Sequence, residues 1–318
     1  MDKADSSCAT RGTLSIIMYH YVRPPGLRSG LHFRSLDQFK KQLTFLSSKY
    51  NILTPNEFRA VISGQRGIEG QCCYLTFDDG YIDHFRYVLP VLLEYKMKAG
   101  FFVPVNPIDR GKPLDVNKIQ YLLGVAEPAS ILNFITRYAN DKFGLVLERN
   151  LKSKGFHSSR YGTESVRYLK ALLQYMLPLE VRTALVEKAF DYFVGIDDEE
   201  LCGELYMTRE HIDVLLDLEM EIGGHGLSHV WLGKETKEKV SEEMQATSRF
   251  LHSFGIPQDE WTLCYPSGSF NEAVIQSAKK YGATAGLTTI VGVNVFDDLH
   301  RVDGAYSLKR LDTNDLPH

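Results

Sequence analysis

The sequence has few cysteines, no strong excess of charge of either sign and no long hydrophobic run. Its five cysteines, Cys8, Cys72, Cys73, Cys202 and Cys264, are odd in number and show no CxxC spacing. This pattern argues against a disulfide scaffold or a zinc ribbon and is typical of a reducing compartment. A net charge of -4, from 36 basic and 40 acidic side chains, gives no indication of binding to nucleic acid or to an anionic membrane.

Targeting and membrane segments are missing from the pattern as well. Residues 1–12 are polar and contain no apolar core like that of a signal sequence or an anchor. No later window approaches the roughly 18 uninterrupted apolar residues of a membrane helix. The sequence therefore predicts a soluble cytoplasmic protein without stable membrane insertion, with residues 1–12 as a flexible N-terminus.

A strand–helix–strand rhythm indicates an α/β fold. Residues 14–18 form an apolar run typical of a buried strand, 82–97 have helical spacing of apolar residues, and 100–103 form the next apolar run. This order is typical of a parallel sheet flanked by helices. The same rhythm resumes after about residue 208, so we expect a single α/β domain over residues 13–318.

The middle of the chain departs from this rhythm. Residues 106–206 contain helical patterns and no convincing strand, which predicts a helical insertion in the α/β domain. Its polar stretch 152–163 is expected to be a mobile loop. The insertion can close over a small substrate or form an oligomer contact.

Two adjacent carboxylates end an apolar run. Asp78 and Asp79 follow residues 74–77 and precede Gly80. Neighbouring side chains of a strand point to opposite faces, so two functional carboxylates are best explained where the strand ends and a turn aims both into one cleft. One can then hold a metal while the other transfers a proton. The alternative is an ordinary turn in which Asp79 caps the next helix.

Two histidines follow another predicted strand end. His225 and His229 are four residues apart and come after a short apolar segment and two glycines. On a helical turn both imidazoles lie on one face, and parallel strands bring their carboxyl ends to the same edge. One carboxylate and two imidazoles leave coordination positions open, as in catalytic metal sites, and the second carboxylate is then the natural general base. Two solvated loop histidines are the alternative.

These motifs resemble those of a known family. Thr76-Phe77-Asp78-Asp79-Gly80 resembles the first motif of the polysaccharide deacetylases, the NodB-homology group or carbohydrate esterase family 4. His225-Gly226-Leu227-Ser228-His229 is similar to their paired-histidine motif, and Tyr265-Pro266-Ser267-Gly268 to part of their third. The resemblance covers residues 14–104 and 208–316. It implies a distorted (β/α) barrel of the NodB type, here with a helical insertion, and hydrolysis of an N-acetyl group on an amino sugar.

The resemblance also implies a role for each motif residue. Asp78 would be the general base, and Asp79, His225 and His229 would bind one divalent metal ion. Zinc is expected, with cobalt, nickel, manganese and iron as alternatives. The backbone N–H of Tyr265 would stabilise the oxyanion, a contribution worth about 3–4 kcal/mol for one such donor.

The sequence departs from the family pattern at two places. Cys264 stands where the third motif usually has an arginine that contacts the base, so Arg310 and Arg301 are candidates for that contact. The family's C-terminal histidine, which protonates the leaving amine, has no counterpart in the tail. His20 does follow an apolar strand at the start of the chain, as in the circularly permuted branch similar to the poly-N-acetylglucosamine deacetylases. We therefore expect His20 to be the general acid, with His300 as the alternative.

The resulting prediction is a metal-dependent carbohydrate N-deacetylase. Its substrate would be an N-acetylated amino sugar in a glycan or in a lipid- or nucleotide-linked saccharide, used for surface polysaccharide. A mononuclear non-haem iron oxygenase is an alternative, because two histidines and one carboxylate also describe that site. A catalytically inactive carbohydrate-binding module is a second alternative, because of Cys264.

Overall fold

The structure is a computed structural model that describes residues 12–25, 33–147 and 163–317. The predicted flexible N-terminus, apart from its last residue, lies outside the described residues. The predicted mobile loop 152–163, apart from its last residue, lies outside them too.

A closed barrel of parallel strands forms the body of the molecule. Its strands β1, β3, β4, β5, β6, β7 and β9 pair in that order, and β1 closes the ring because it pairs with both β3 and β9. Two short strands lie outside the ring: β2 pairs in parallel with β3, and β8 is antiparallel to the start of β1. The strands are β1 Thr13–Tyr19, β2 Asn51–Ile52, β3 Gln71–Phe77, β4 Gly100–Val103, β5 Glu221–Gly224, β6 Trp261–Cys264, β7 Ala283–Val291, β8 Asn294–Val295 and β9 Leu308–Asp312. The predicted (β/α) barrel is confirmed.

Helices surround the barrel. They are α1 Leu36–Lys49, α2 Pro55–Ile62, α3 Leu89–Glu94, α4 Val105–Asp109, α5 Asp115–Val125, α6 Pro128–Phe143, α7 Glu164–Ala171, α8 Leu179–Phe193, α9 Asp198–Leu205, α10 Arg209–Asp217, α11 Lys237–His252, α12 Glu272–Lys280 and α13 Phe296–Leu299. Single π-helical turns precede α3 and follow α7, at His84–Val88 and Leu172–Met176. Among the described residues, no helix has the length and apolarity needed to cross a bilayer.

The helix predicted over residues 82–97 differs from the observed one. It starts with the π-helical turn, continues as α3 and ends at Glu94. Pro90 lies within it, and because proline has no backbone N–H it cannot complete the regular α-helical bonding pattern. Leu93, one of the apolar residues of this helical pattern, is 44% exposed.

Most of the helices between β4 and β5 share a hydrophobic core that is separate from that of the barrel. Helices α4 to α10 occupy this part of the chain, and its described residues contain no strand apart from an isolated bridge between Tyr206 and Tyr81. The cluster runs from Leu114 to Tyr206 and includes Tyr21 and Tyr81 from the barrel. A second, larger cluster fills the contacts between the barrel and its surrounding helices. The two barrel tyrosines therefore join the helical layer to the strand ends that carry the predicted site.

Candidate active site

Four of the predicted site residues directly follow the carboxyl ends of three barrel strands. His20 follows β1, Asp78 and Asp79 follow β3, and His225 follows β5. All barrel strands are parallel, so these ends share one rim of the barrel, the rim where α/β barrels place their active sites. Residues far apart in sequence thereby face one cleft.

Asp79 and the two histidines form one cluster. The Asp79 Oδ1 atom lies 3.2 Å from His225 Nε2 and 3.4 Å from His229 Nε2, and the three side chains are at most 9% exposed. Asp79 and His229 both have left-handed backbones, with φ of 74° and 57°. Such conformations cost about 1–3 kcal/mol each and persist only where the surroundings impose them. The left-handed conformations thus direct the Asp79 and His229 side chains toward each other.

The hydrogen bonding of His225 fixes which nitrogen faces the cluster. Its Nδ1 lies 2.8 Å from the Cys264 carbonyl oxygen. Because a carbonyl only accepts, Nδ1 donates, and in the neutral ring Nε2 presents its lone pair to the cluster. Burial alone raises the pKa of Asp79, but the adjacent imidazoles of His225 and His229 outweigh it and hold the pKa below its ordinary value, so the carboxyl stays ionised.

These residues fit a divalent cation. Among the described residues, the buried Asp79 Oδ1 has no hydrogen-bond partner that meets normal geometry. Ligand atoms from Asp79, His225 and His229 all lie within 4.8 Å of one another, and one carboxylate with two imidazoles is a donor set that suits zinc and related metals. The orphaned oxygen and the fixed tautomer are both explained if a cation is bound there.

A second group of potential ligands, Asp78, His225 and Cys264, overlaps with the first. Both oxygens of Asp78 already bind the Arg310 guanidinium, at 2.9 and 2.8 Å. A guanidinium in direct contact with this group would repel a bound cation. The Asp79 cluster is therefore the better metal site.

Arg310 takes the place of the arginine that the third motif lacks. Its side chain is buried at 1% exposure and makes a bidentate pair with Asp78, while its Nε donates to the Thr288 carbonyl at 2.7 Å. Cys264 completes the contact, because its Sγ lies 3.3 Å from Asp78 Oδ2 and 3.2 Å from Arg310 Nη2. Arg301, the other candidate, is 74% exposed and pairs with Asp298 on the surface.

The ion pair with Arg310 determines the protonation state of Asp78. Burial by itself raises the pKa of this carboxyl, but the charge of Arg310 dominates and lowers it below its usual value. Asp78 is thus a carboxylate at neutral pH, as a general base has to be.

The two candidate general acids lie at opposite ends of the barrel. His20 Nε2 lies 4.0 Å from Asp78 Oδ2, and its side chain is 43% exposed in the cleft. His300 follows α13, packs on Phe296 and belongs to the β8 region, which pairs with the first residues of β1. His300 is therefore a full strand length from the cluster, and only His20 is in a position to act there.

The backbone N–H of Tyr265, expected to stabilise the oxyanion, already has a hydrogen-bond partner in this structure. Its backbone N–H donates to the Leu287 carbonyl at 3.0 Å as part of the sheet, and its hydroxyl donates to the Tyr306 carbonyl. Tyr265 precedes the 3₁₀ turn, which runs from Pro266 to Gly268. Ser267 has a left-handed backbone with φ of 54° in a 3₁₀ turn, and the first N–H groups of such a turn have no partner within it.

One residue of the site had no sequence signal strong enough to identify it. Glu243 on α11 is fully buried, and its Oε2 accepts from the backbone N–H groups of Leu227 and Ser228 at 2.7 and 3.0 Å. Ser228 also donates its hydroxyl to Oε1, and Lys239 Nζ lies 3.2 Å from the same oxygen. This carboxylate fixes the loop between the two histidines.

Replacing Glu243 by glutamine should therefore loosen the histidine loop. Glutamine replaces one of the two acceptor oxygens by an NH₂ group, which cannot accept a hydrogen bond from the loop. The loop then orients the histidines less well, and we expect metal affinity to fall about 10–100-fold, as for other residues that orient ligands. The free energy of unfolding should fall by about 1–3 kcal/mol. Glu242→Gln is the matched control, since Glu242 is the adjacent residue of α11 and is 59% exposed. Equal metal affinity in the two variants, by titration calorimetry, would contradict the role of Glu243.

Comparison with known sequences agrees with this geometry. The polysaccharide deacetylase family model matches residues 66–121 and 199–286, which contain the Asp-Asp pair, both histidines and the Cys264 turn. It leaves out most of the helical layer. YxkH of Bacillus subtilis (strain 168), described as a polysaccharide deacetylase, is 34% identical over 92 residues, which are 28% of this chain and 31% of that protein. The match thus spans about a third of the curated relative.

Solved structures share the fold over nearly the whole chain. The Streptococcus pyogenes deacetylase PplD, in complex with acetate, has a TM-score of 0.55 at 16% identity and covers 96% of this chain and 97% of its own. IcaB from Ammonifex degensii has a TM-score of 0.56 at 16% identity, over 95% of this chain and 93% of its own. The family model, the curated relative and these barrels together confirm that the chain resembles the polysaccharide deacetylases.

Proposed function

We propose that this protein is a metal-dependent hydrolase that removes the N-acetyl group from an amino sugar. The observation that supports this most strongly is the juxtaposition of two carboxylates with different partners. Asp79 faces two imidazoles, whereas Asp78 is held by Arg310. Environments that differ in this way are what separate a metal ligand from a proton-transfer group.

Asp79, His225 and His229 would hold the metal ion, which when bound acidifies a water molecule and polarises a carbonyl oxygen. The His225 ring is kept in the required tautomer by the Cys264 carbonyl. Glu243 keeps the loop that carries His229 in place.

The remaining residues would divide the proton transfers. Asp78, ionised beside Arg310, takes a proton from the attacking water, and His20 donates a proton to the departing amine. The His20 ring is 4.0 Å from Asp78 and reaches into the cleft, so both proton-transfer groups would face the same acetamido group of a bound substrate. The Ser267 N–H replaces that of Tyr265 as the proposed donor to the developing oxyanion.

The cavity beside the cluster indicates how an acetamido sugar would be bound. It is lined on the barrel side by His229, Trp231 and Ser267, and on the helical side by Leu173, Gln174 and Arg182. An aromatic ring and apolar side chains suit the face of a sugar and an acetyl methyl group, and the polar groups suit its hydroxyls. The cavity has a volume of only about 30 Å³, so we propose that it receives the acetyl group, while the rest of the N-acetylated saccharide, a unit used for surface polysaccharide, lies outside it.

Acetate release tests this proposal directly. The purified protein, analysed for bound metal, should release acetate from N-acetylated glucosamine oligomers or sugar nucleotides, lose this activity with a chelator and regain it with zinc or cobalt. Turnover without oxygen separates hydrolysis from the iron oxygenase alternative. Saccharide binding without acetate release, with metal present, would instead indicate a binding module and would refute the proposed hydrolysis.

A further inference from the structure

Two chain segments at the barrel rim run side by side next to the proposed acid. The segment after β1 carries His20, and the segment after β3 carries the two aspartates. In addition to the hydrogen bonds between β1 and β3, the rings of Tyr21 and Tyr81 stack across the two segments with their centroids 3.9 Å apart. The Tyr21 ring lies directly after His20, so this stack already fixes the backbone next to the acid.

His84 makes the contact closest to His20. It is fully buried, with its ring beside those of Phe77 and Phe101, and its Nε2 lies 2.8 Å from the His20 carbonyl oxygen. Because a carbonyl only accepts, Nε2 carries the hydrogen. His84 Nδ1 is buried without a partner among the described residues, and burial lowers the pKa of this ring to about 4. The neutral His84 ring therefore donates its one N–H to the carbonyl oxygen of His20.

An ion pair continues the link. Arg23, at 4% exposure, donates its Nε to Asp83 Oδ2 at 2.6 Å, and Asp83 is 3% exposed. Arg23 also lies over the Tyr21 ring, 4.8 Å from its centroid. Asp83 is adjacent to His84, and Arg23 lies three residues after His20, so the pair holds the two segments together on either side of the His84 contact.

His20 needs such support because its side chain receives little from packing. The ring is 43% exposed, and its distance of 4.0 Å to Asp78 is too long for a hydrogen bond. With few side-chain contacts to hold it, the ring follows the position of the backbone that carries it, and a misplacement of about 1 Å is enough to lose about 10²-fold in rate. The position of the ring therefore depends on the backbone at residue 20.

We propose that His84, supported by the Arg23–Asp83 pair, is a positioning residue that holds His20 in place to protonate the leaving group. This inference rests on the proposed deacetylase function. His84 touches neither substrate nor metal in this arrangement; it acts only through the His20 carbonyl. The proposal explains why a histidine occupies a site otherwise surrounded by aromatic rings.

The test compares two leaving groups in two variants. His84→Phe keeps a ring of similar size but removes the N–H, whereas His84→Gln restores an N–H near the position of Nε2. For an N-acetylated amino sugar, whose amine must be protonated to leave, we expect His84→Phe to lower kcat at least 10-fold with little change in KM. For p-nitrophenyl acetate, whose leaving group needs no proton, kcat should change less than 3-fold. His84→Gln should recover most of the amide activity.

Controls separate this role from a loss of stability. Tyr74→Phe removes a buried hydrogen bond to Glu221 away from the rim and should leave the ratio of the two activities unchanged. In NMR spectra, the His20 ring signals, assigned by their loss in His20→Gln, should be single in the wild type and in His84→Gln, and broadened or doubled in His84→Phe. Equal losses on both substrates, or unchanged amide turnover and His20 signals in His84→Phe, would overturn the proposal. If the wild type releases no acetate from any amino sugar, the proposed function fails, while the His20 signals still decide whether His84 orders that ring.

Discussion

Replacing Asp79 by asparagine should remove metal binding and acetate release together. The carboxylate supplies the negative charge in direct contact with both imidazoles, because Asp79 Oδ1 lies 3.2 Å from His225 Nε2 and 3.4 Å from His229 Nε2. Metal affinity should fall by more than the 10–100-fold typical of losing a residue that merely orients a ligand. Zinc should raise the melting temperature of the wild type, by an amount equivalent to about 2.7 kcal/mol at 100 times the dissociation constant, and should leave that of Asp79→Asn unchanged.

The neighbouring residue provides the matched control. Asp78→Asn changes the adjacent carboxylate in the same way but leaves the Asp79 cluster intact. We expect this variant to bind zinc with nearly wild-type affinity and to lose about 10²–10⁴-fold in kcat, as for loss of a general base. A variant Asp79→Asn that still binds zinc, with Asp78→Asn failing to bind it, would assign the metal to the other group of ligands, Asp78, His225 and Cys264.

Replacing Arg310 by methionine should have the largest effect on stability. Its side chain and that of Asp78 are 1% and 2% exposed, so the change leaves a buried carboxylate without its cation. Breaking a buried pair in this way costs about 3–5 kcal/mol in the free energy of unfolding, measurable by urea denaturation. Arg301→Met is the control, because Arg301 is exposed and its pair with Asp298 lies on the surface.

The same variant should shift the pH dependence in a defined direction. Arg310 lowers the pKa of Asp78 against the effect of burial, so its loss raises that pKa. The acid limb of kcat/KM should then move to higher pH, since the base must be ionised to act. The depressed pKa contributes stability above the unfolded value of about 3.9 and loses it as pH falls. In the variant burial acts alone and the Asp78 pKa lies above its ordinary value, so the stability difference between wild type and variant should shrink as pH falls through that raised pKa towards the depressed pKa of the wild type, and a constant difference would contradict this assignment.

The sequence allowed the metal cluster to be predicted because its signals are local. Asp78 and Asp79 end an apolar run, and His225 and His229 follow another, so the parallel fold alone brings them to one rim. His20 could be proposed for the same reason, as the residue after a third strand. The structure brings these side chains together, and their catalytic roles remain predictions.

The partners of these residues depend on tertiary contacts that no local pattern reports. Arg310 was one of two candidates, and only the position of β9 in the barrel separates it from Arg301. Glu243 is one carboxylate among several on an amphipathic helix, and its burial alone distinguishes it from Glu242. The partner of the Tyr265 N–H is equally invisible in the sequence, because whether this N–H belongs to the sheet or to the turn depends on one hydrogen bond to β7.

The closure of the barrel by β1 has a consequence for how the protein folds. Asp78 and Arg310 are separated by 232 positions in the chain, and β9, which carries Arg310, joins the ring through β1 and β7. Contacts of such long sequence separation form slowly, because the intervening chain must be ordered first. A nascent chain therefore presents Asp78 long before its guanidinium partner is synthesised. Catalytic competence should arise in the last folding step, so a burst of activity during refolding would report ring closure rather than helix formation.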